Sequence, residues 1–537
     1  MKLGRRLFLG GGLTLGGGLS AFWPFPSKKP TIAFTLKGAR KDLGHRLIWK
    51  DFPPPLVSEE KYHVVVVGAG VAGLAATRKL AQSGINDVLV VDLERASGGN
   101  ALSGRKGEQA FPWGAHYLPA PDTSQRSLLS FLEELKVVTG YKQGRAVFDE
   151  AYLCHAPQER LLFGGKWIYG LVPYEHLSES ERQKVDQFYK LMKTLRLAKG
   201  RDGRLAFSIP VANSSTDPVF REWDKISFDS WLQQRGLSCP YLDWLLDYCC
   251  RDDFGVARKY VSAWAGIHYF ASRRVYGEDG EGQEILTWPE GNKFLVRGLS
   301  HSLKSKLQVN TCAYQITQTQ SQVETLLFDV NTSTSRKVSS KAVIFAGPQF
   351  VAGRVIGGYA DKRKNLYQDD KYQPWLIANL HLENVPNSFL PAWDNVAYQG
   401  ESLGYIFSGH QLLKTQHENM TLTLYWPWKG DASSERGSLF LKTEDELGEM
   451  VIKEFLTMHP ELESNIVACD LWLWAHGMIA PYPDTIWGET RRKLRSPFGR
   501  IHFAHSDLSG ISIFEEAFYQ GERAAQEVKE SLNGELS

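Results

Sequence analysis

Residues 62–67, YHVVVV, form a run of largely apolar, β-branched positions without alternation, and such a run predicts a strand buried on both faces. It leads straight into GAGVAGLAATRKLAQSG, where the pattern changes to that of a helix reaching Gly84. The change falls on glycines. Gly68 permits the tight turn, Gly70 lets backbone amides approach a pyrophosphate as Val71 and Ala72 open the helix, and Gly73 lets that helix lie close to the strand. A second apolar strand, VLVVD, ends on Asp92, 19 residues after Gly73. A carboxylate there accepts hydrogen bonds from both hydroxyls of a ribose and repels a 2′-phosphate. Strand, glycines, helix, strand and acid in this order predict an α/β dinucleotide-binding domain. Near the C-terminus IHFAHSD reads as a short strand ending in an acid. Ile513, Ala517, Gly521, Ala524 and Val528 then mark one face of a final helix.

The chain has 537 residues, 43% hydrophobic and 23% charged, which suits two or three globular domains. A net charge of +2 with no Lys/Arg stripe argues against a nucleic-acid partner. Six cysteines without CxxC or paired Cys/His spacing give no basis for a zinc site, and Cys249 and Cys250 read as buried thiols on a helix. Trp426, Trp428, Trp472 and Trp474 are read as core aromatics, with a flat-ligand pocket as the alternative. No segment after the N-terminus is an unbroken apolar run near 20 residues.

Residues 1–22, with Arg5 and Arg6 ahead of an uncharged Gly/Leu-rich stretch, resemble a twin-arginine export signal. The implied partner is the twin-arginine export machinery. The implied location is exported, periplasmic or held at the outer face of the cytoplasmic membrane. Residues 23–60 are read as a linker or surface extension.

Further pieces resemble the FAD-binding amine oxidase, phytoene desaturase and protoporphyrinogen oxidase superfamily. Gly98, Gly99 and Asn100 in LERASGGN match its glycine pair after the second strand, and Gly114, Ala115 and His116 in FPWGAHYLP match its run beside the flavin. KAVIFAGP, WPEGNKFLVRGL and RIHFAHSDLSG match the returning strand, the Pro-x-Gly segment and the closing strand. The resemblance implies noncovalent FAD contacted by His505, Asp507, Ile513 and Phe514, with Asp507 on the ribityl hydroxyls or pyrophosphate. The start of the final helix would aim its positive end at the flavin. The implied fold is α/β: a Rossmann-type FAD-binding domain (61–125, 285–350 and 495–537) with a discontinuous α+β substrate domain (126–284 and 351–494).

A single dinucleotide fingerprint implies that electrons enter from an organic substrate and leave to oxygen or to a quinone or protein acceptor. The resemblance favours hydride transfer from an amine, such as a polyamine or a related amine, to flavin N5. Where relatives carry an N5 lysine, PWLIANLHLE offers Ala378 or Asn379, and the aligned flavin-flanking positions hold Met478 and Ile513. Gly477 stands near the point of a covalent flavin cysteine, and Cys469 falls outside that motif. His476 is the candidate catalytic acid, base or donor, with a hydrogen-bonded structural histidine as the alternative. A desaturase or protoporphyrinogen oxidase-like enzyme and a noncatalytic flavin-binding protein are the other readings. Acidic pocket lining favours the amine, and an apolar tunnel favours the desaturase-like reading.

Overall fold

The computed structural model describes residues 32–56, 60–273, 284–303, 306–411 and 418–534; the twin-arginine-like residues 1–22 lie outside them. Two eight-stranded sheets organise the chain. In the first, β2 (Lys61–Val67) lies between β3 (Val88–Val91) and the long β5 (Thr334–Phe345), all parallel. Leu307–Gln308 extends the sheet beyond β3, and β9 (Ile501–Phe503) pairs parallel with the end of β5. Along β2, Val64 and Val66 enter one core and Val65 the other, so both faces are covered. That is why the strand reads as continuous valine rather than as an alternation.

Helix α2 (Val71–Gln82) begins at the glycine turn and packs against α4 (Phe514–Gly534), the longest contact between helices. A Cβ on Gly521 of α4 would stand 2.2 Å from the Ala72 carbonyl oxygen, so only glycine allows the two helices to lie this close.

The second sheet is mostly antiparallel and runs β1 (Ala33–Gly38), β8 (Ile466–Ile479), β6 (Tyr372–Leu382), Met420–Pro427, Tyr405–Phe407, β7 (Asp394–Ala397), β4 (Glu159–Phe163) and Lys166–Tyr169. Helices between residues 179 and 271, among them α3 (Pro240–Phe254), close over it with an aromatic core.

The linker reading of 23–60 is corrected within the described part. Residues 33–38 are an edge strand in parallel register with 468–473, and α1 (Lys41–Trp49) buries Leu43 and Leu47 against the dinucleotide sheet. The strand alternates between half-buried and exposed residues, so its stability comes from a partner more than 400 residues away in sequence, which local pattern does not reveal. The predicted boundaries at 126 and 351 also shift. Leu128, Leu129, Phe131 and Leu132 pack in the core above α2, and Ala352, Val355, Ile356 and Tyr359 pack on the opposite side of the same sheet.

A buried ion pair ties the elements around the site. Arg491, 3% exposed, pairs with Asp370, 8% exposed, and donates to the carbonyls of Thr485 and Asp507. Arg491→Leu strands that carboxylate and is expected to cost about 3–5 kcal/mol. Adding Asp370→Leu should recover much of the loss. Thermal unfolding of the two variants checks this, and an unchanged melting temperature in Arg491→Leu would refute it.

Candidate active site

Two cavities meet at the junction of the sheets. The first is a groove over the ends of the parallel strands, where a doubly wound sheet receives its ligand. Gly68, Gly70, Val71, Ala72, Asp92, Gly98, Gly99, Asn100, Ala115, His505, Ile513 and Phe514 all line it. Gly70 caps α2 with no side-chain hydrogen bond, so the helix's first amides remain free for an anion. Gly98 pairs with Gly70 across an isolated bridge and donates its N–H to Ala69 O at 2.9 Å, joining the two glycine segments. Asp92 is fixed by Ala69 N–H at 2.6 Å and Glu94 N–H at 2.8 Å; burial raises its carboxyl above the ordinary value. The groove thus has the shape, free amides and ribose-directed acid that FAD requires. Asp92→Ala is expected to weaken FAD retention by at least tenfold without loss of fold. Flavin fluorescence released on dilution measures this, and full retention would refute the role of Asp92.

Gly73 does not reach the groove. Its place is structural, because a Cβ there would fall 1.8 Å from Gly68 O.

Asp507 is a correction. Its carboxylate is fully buried and accepts from Gln349 N–H at 2.9 Å and Tyr372 hydroxyl at 2.7 Å, so it faces the protein and not the groove. Burial raises its pKa, but His505, Tyr372 and Arg491 outweigh that and hold the carboxyl below its ordinary value. Ser506, one residue earlier, lines the groove in its place. His505 Nδ1 stands 3.2 Å from Asp507 N and 3.1 Å from Asp507 Oδ1, which ties the two residues together.

The second cavity opens beside the Gly477 and Phe514 end of the groove, with Asn100, Ala115, Trp474 and Ser512 common to both. Asn100 joins them further: its side chain donates to Gly477 O and its carbonyl accepts Ala115 N–H. Gly114 and His116 lie in this second cavity. The His116 ring lies 4.5 Å from that of Tyr425, tilted by 32°, and burial pushes its pKa down to about 3, so it is neutral. Trp375, Tyr425, Tyr117 and Trp474 supply aromatic walls. Of the four tryptophans singled out in the sequence, only Trp474 lines the cavities, and the other three pack in the core around them.

His476 is also corrected. It lines the cofactor groove and not the second cavity, with Nε2 accepting from Arg436 Nη1 at 2.5 Å and its ring 4.7 Å from that of Phe350. Burial, then Arg436 and Arg354, push its pKa down to about 3. The hydrogen bond to Arg436 and the lowered pKa favour the alternative, a hydrogen-bonded structural histidine. On β6, Trp375 and Ile377 face the cavity; Ala378 is core, and Asn379 bonds Thr423 and Pro112. No lysine is among the residues lining this cavity.

What sequence reasoning missed is the cavity's charge. Asp252 and Asp253 from α3 and Glu515 from the first turn of α4 line it, and among the lining residues Arg273 is the only cation. Arg273 is already paired with Asp253. Burial, then Asp253, pushes the Asp252 carboxyl up to about 7, and burial does the same to Glu515. The DD pair of CCRDDF and the EE pair of FEEAF were the only local signals. In a helix such pairs read equally well as a solvated face.

A dinucleotide groove that opens into an aromatic and acidic cavity defines a flavoprotein oxidoreductase. A model of the flavin-containing amine oxidoreductase family matches residues 71–529. The chain belongs to that family and is an FAD-dependent oxidoreductase. It is 22% identical over 491 residues to a probable flavin-containing monoamine oxidase A of Dictyostelium discoideum, covering 88% of this chain and 98% of that one. Wild-type putrescine oxidase bound to putrescine superposes with a TM-score of 0.64 at 17% identity, over 89% of this chain and all of the other. A fatty acid isomerase from P. acnes superposes at 0.59 and 16%, over 87% and 98%. These structures share the fold.

Proposed function

We propose that this chain oxidises an amine, a polyamine or a related amine, in the cavity beside Phe514. The observation that carries this reading is the acidic lining: Asp252, Asp253 and Glu515 against the single, already paired Arg273. A cationic amine replaces the missing counter-charge, whereas an apolar or macrocyclic substrate would leave buried carboxyls uncompensated. FAD held without a covalent link would supply at N5 a hydride acceptor for the carbon next to nitrogen, with oxygen or a quinone or protein acceptor as the final oxidant. The residues of the chain bind and orient. Tyr117, Tyr425, Trp375 and Trp474 supply aromatic walls for an ammonium, and neutral His116 leaves the carboxyls as the charged groups around it. Anaerobic bleaching of the flavin against amines, long-chain fatty acids and a porphyrinogen tests the reading. Reduction by amines supports it, and reduction by the apolar substrates alone, or by none, overturns it.

We further propose that Arg5 and Arg6 direct export. The strand starting at Ala33 belongs to the folded core, so any processing must fall before it. The double variant Arg5→Lys, Arg6→Lys should leave folded, yellow protein in the cytoplasm of an expressing bacterium. Unchanged export on fractionation would refute the signal.

A further inference from the structure

His476 follows Trp474 by two positions on β8, and both line the cofactor groove together with Gly477. Trp474 and Gly477 also line the second cavity, whereas the ribose-directed Asp92 does not, so the flavin ring belongs at this end of the groove. Arg436, on the helix Ala432–Phe440, stands behind the histidine and off the groove, and it donates from Nη1 to His476 Nε2 at 2.5 Å. A guanidinium only donates, so Nε2 must carry the lone pair. Burial, and then the positive charges of Arg436 and Arg354, hold the ring neutral, and a neutral ring bonded in this way keeps its proton on Nδ1. No acceptor for that proton is present among the described residues. The arginine thus fixes one tautomer and gives the flavin end of the groove a donor with no partner in the described protein.

Arg436 itself has no anion to answer its charge. Its Nη2 reaches the carbonyls of Tyr372 and Ala432 at 3.4 Å each, and its buried Nε has no partner. Among the described residues no carboxylate forms an ion pair with it; Asp431 acts on it only from a distance, and burial lowers its pKa. A desolvated cation without a counter-ion is a cost to the fold that a ligand's negative charge would offset. The pyrophosphate of FAD is not that charge, because its place is at Gly70 and the free amides of α2. The isoalloxazine is neutral when oxidised and carries one negative charge once a hydride has been added to it. No lysine or arginine lines the groove, and no lysine lines the second cavity, so Arg436 is the cation tied to a side chain at the place where this charge develops. A charge already in position before the reaction costs nothing to reorganise during it.

We infer that Arg436, acting through His476, is a positioning residue that stabilises the negative charge of the reduced flavin and so raises its midpoint potential. The inference rests on the hydride-accepting FAD of the reading above and adds the source of its counter-charge. It does not depend on which amine is oxidised. His476 transfers no proton in this role; it holds its Nδ1–H towards the groove while Arg436 polarises the ring from behind.

The test uses the FAD-loaded protein at pH 8, where an imidazole released from the arginine stays neutral. Two readouts need no amine: the affinity for sulfite, whose addition places negative charge on the flavin ring, and the two-electron midpoint potential from equilibration with a dye. Arg436→Gln should weaken sulfite binding about tenfold and lower the potential by about 30 mV, the equivalent of that factor for two electrons. Arg436→Lys keeps the charge and should stay within about threefold of the wild type in sulfite affinity. A merely structural arginine would show its loss in the melting temperature and leave both readouts unmoved. His476→Leu, which removes the donor and leaves the guanidinium, is the second variant should Arg436→Gln fail to hold flavin, and it should weaken sulfite binding by a similar factor, about tenfold. Wild-type sulfite affinity and potential in Arg436→Gln or in His476→Leu, or an Arg436→Lys protein shifted as far as Arg436→Gln, would overturn the inference and leave amine oxidation standing. Shifts of the expected size in a protein that no amine reduces would sustain it and overturn the oxidation instead.

Discussion

Asp252→Asn is expected to lower kcat/KM for a cationic amine roughly 100-fold while the flavin absorbance stays that of the wild type. The residue lines the cavity shared by Trp474 and Phe514, and it has no cation of its own because Arg273 is committed to Asp253. Removing one member of a buried charge pair costs about 3 kcal/mol, which is about two orders of magnitude in binding. The loss should be pH-dependent. Burial raises the Asp252 carboxyl to about 7 and the Glu515 carboxyl to the same value, so both are largely neutral at pH 6 and ionised at pH 8. Wild-type KM for a diamine should therefore fall across this window, and the fall should be shallower in Asp252→Asn. Steady-state kinetics at the two pH values, referred to a monoamine of equal length, isolate the carboxyl from ionisation of the substrate. Equal slopes in wild type and variant would exclude Asp252 as the anchor.

Gly73→Val is expected to abolish flavin-loaded protein altogether. A Cβ at this position would lie 1.8 Å from Gly68 O and 3.2 Å from Ala346 Cβ. Neither neighbour can yield: one is backbone of the turn, and the other belongs to the segment leaving β5. The helix must move off the sheet, and with it the free amides that face the groove. The cost exceeds an ordinary overpacking penalty of about 1–3 kcal/mol because backbone is displaced. Gly44→Ala in α1 is the control, since nothing lies within 4 Å of the added carbon there. The control should be neutral or more stable by about 0.5–1 kcal/mol. Yellow, soluble Gly73→Val protein would contradict the close-packing argument.

The cofactor half of the molecule was legible because its information is local. The valine run, the glycine turn, α2, the second strand and Asp92 follow one another within about thirty residues, and each step is a matter of backbone conformation or of burial on both faces of a parallel strand. Gly68, Gly70, Val71, Ala72 and Asp92, all within that stretch, line the groove for that reason. The reading failed where two adjacent residues compete. Ser506 and Asp507 both follow the closing strand, and only the packing of Tyr372 and Gln349 against the carboxylate decides that the serine faces the groove. His476 failed in the same way, because Arg436, forty residues away, accounts for it.

The sequence by itself thus determined an α/β dinucleotide fold, and its resemblance to a flavoprotein superfamily implied a flavin as the ligand. The tertiary structure alone decided the chemistry of the substrate side. Asp252, Trp375, Tyr425 and Glu515 come from four segments spanning more than 260 residues, and none carries a local mark of its role. An acid on a helix face is a solubilising charge or a ligand anchor according to what covers it. Here α3, the start of α4 and the second sheet cover three such acids and leave them a single counter-ion.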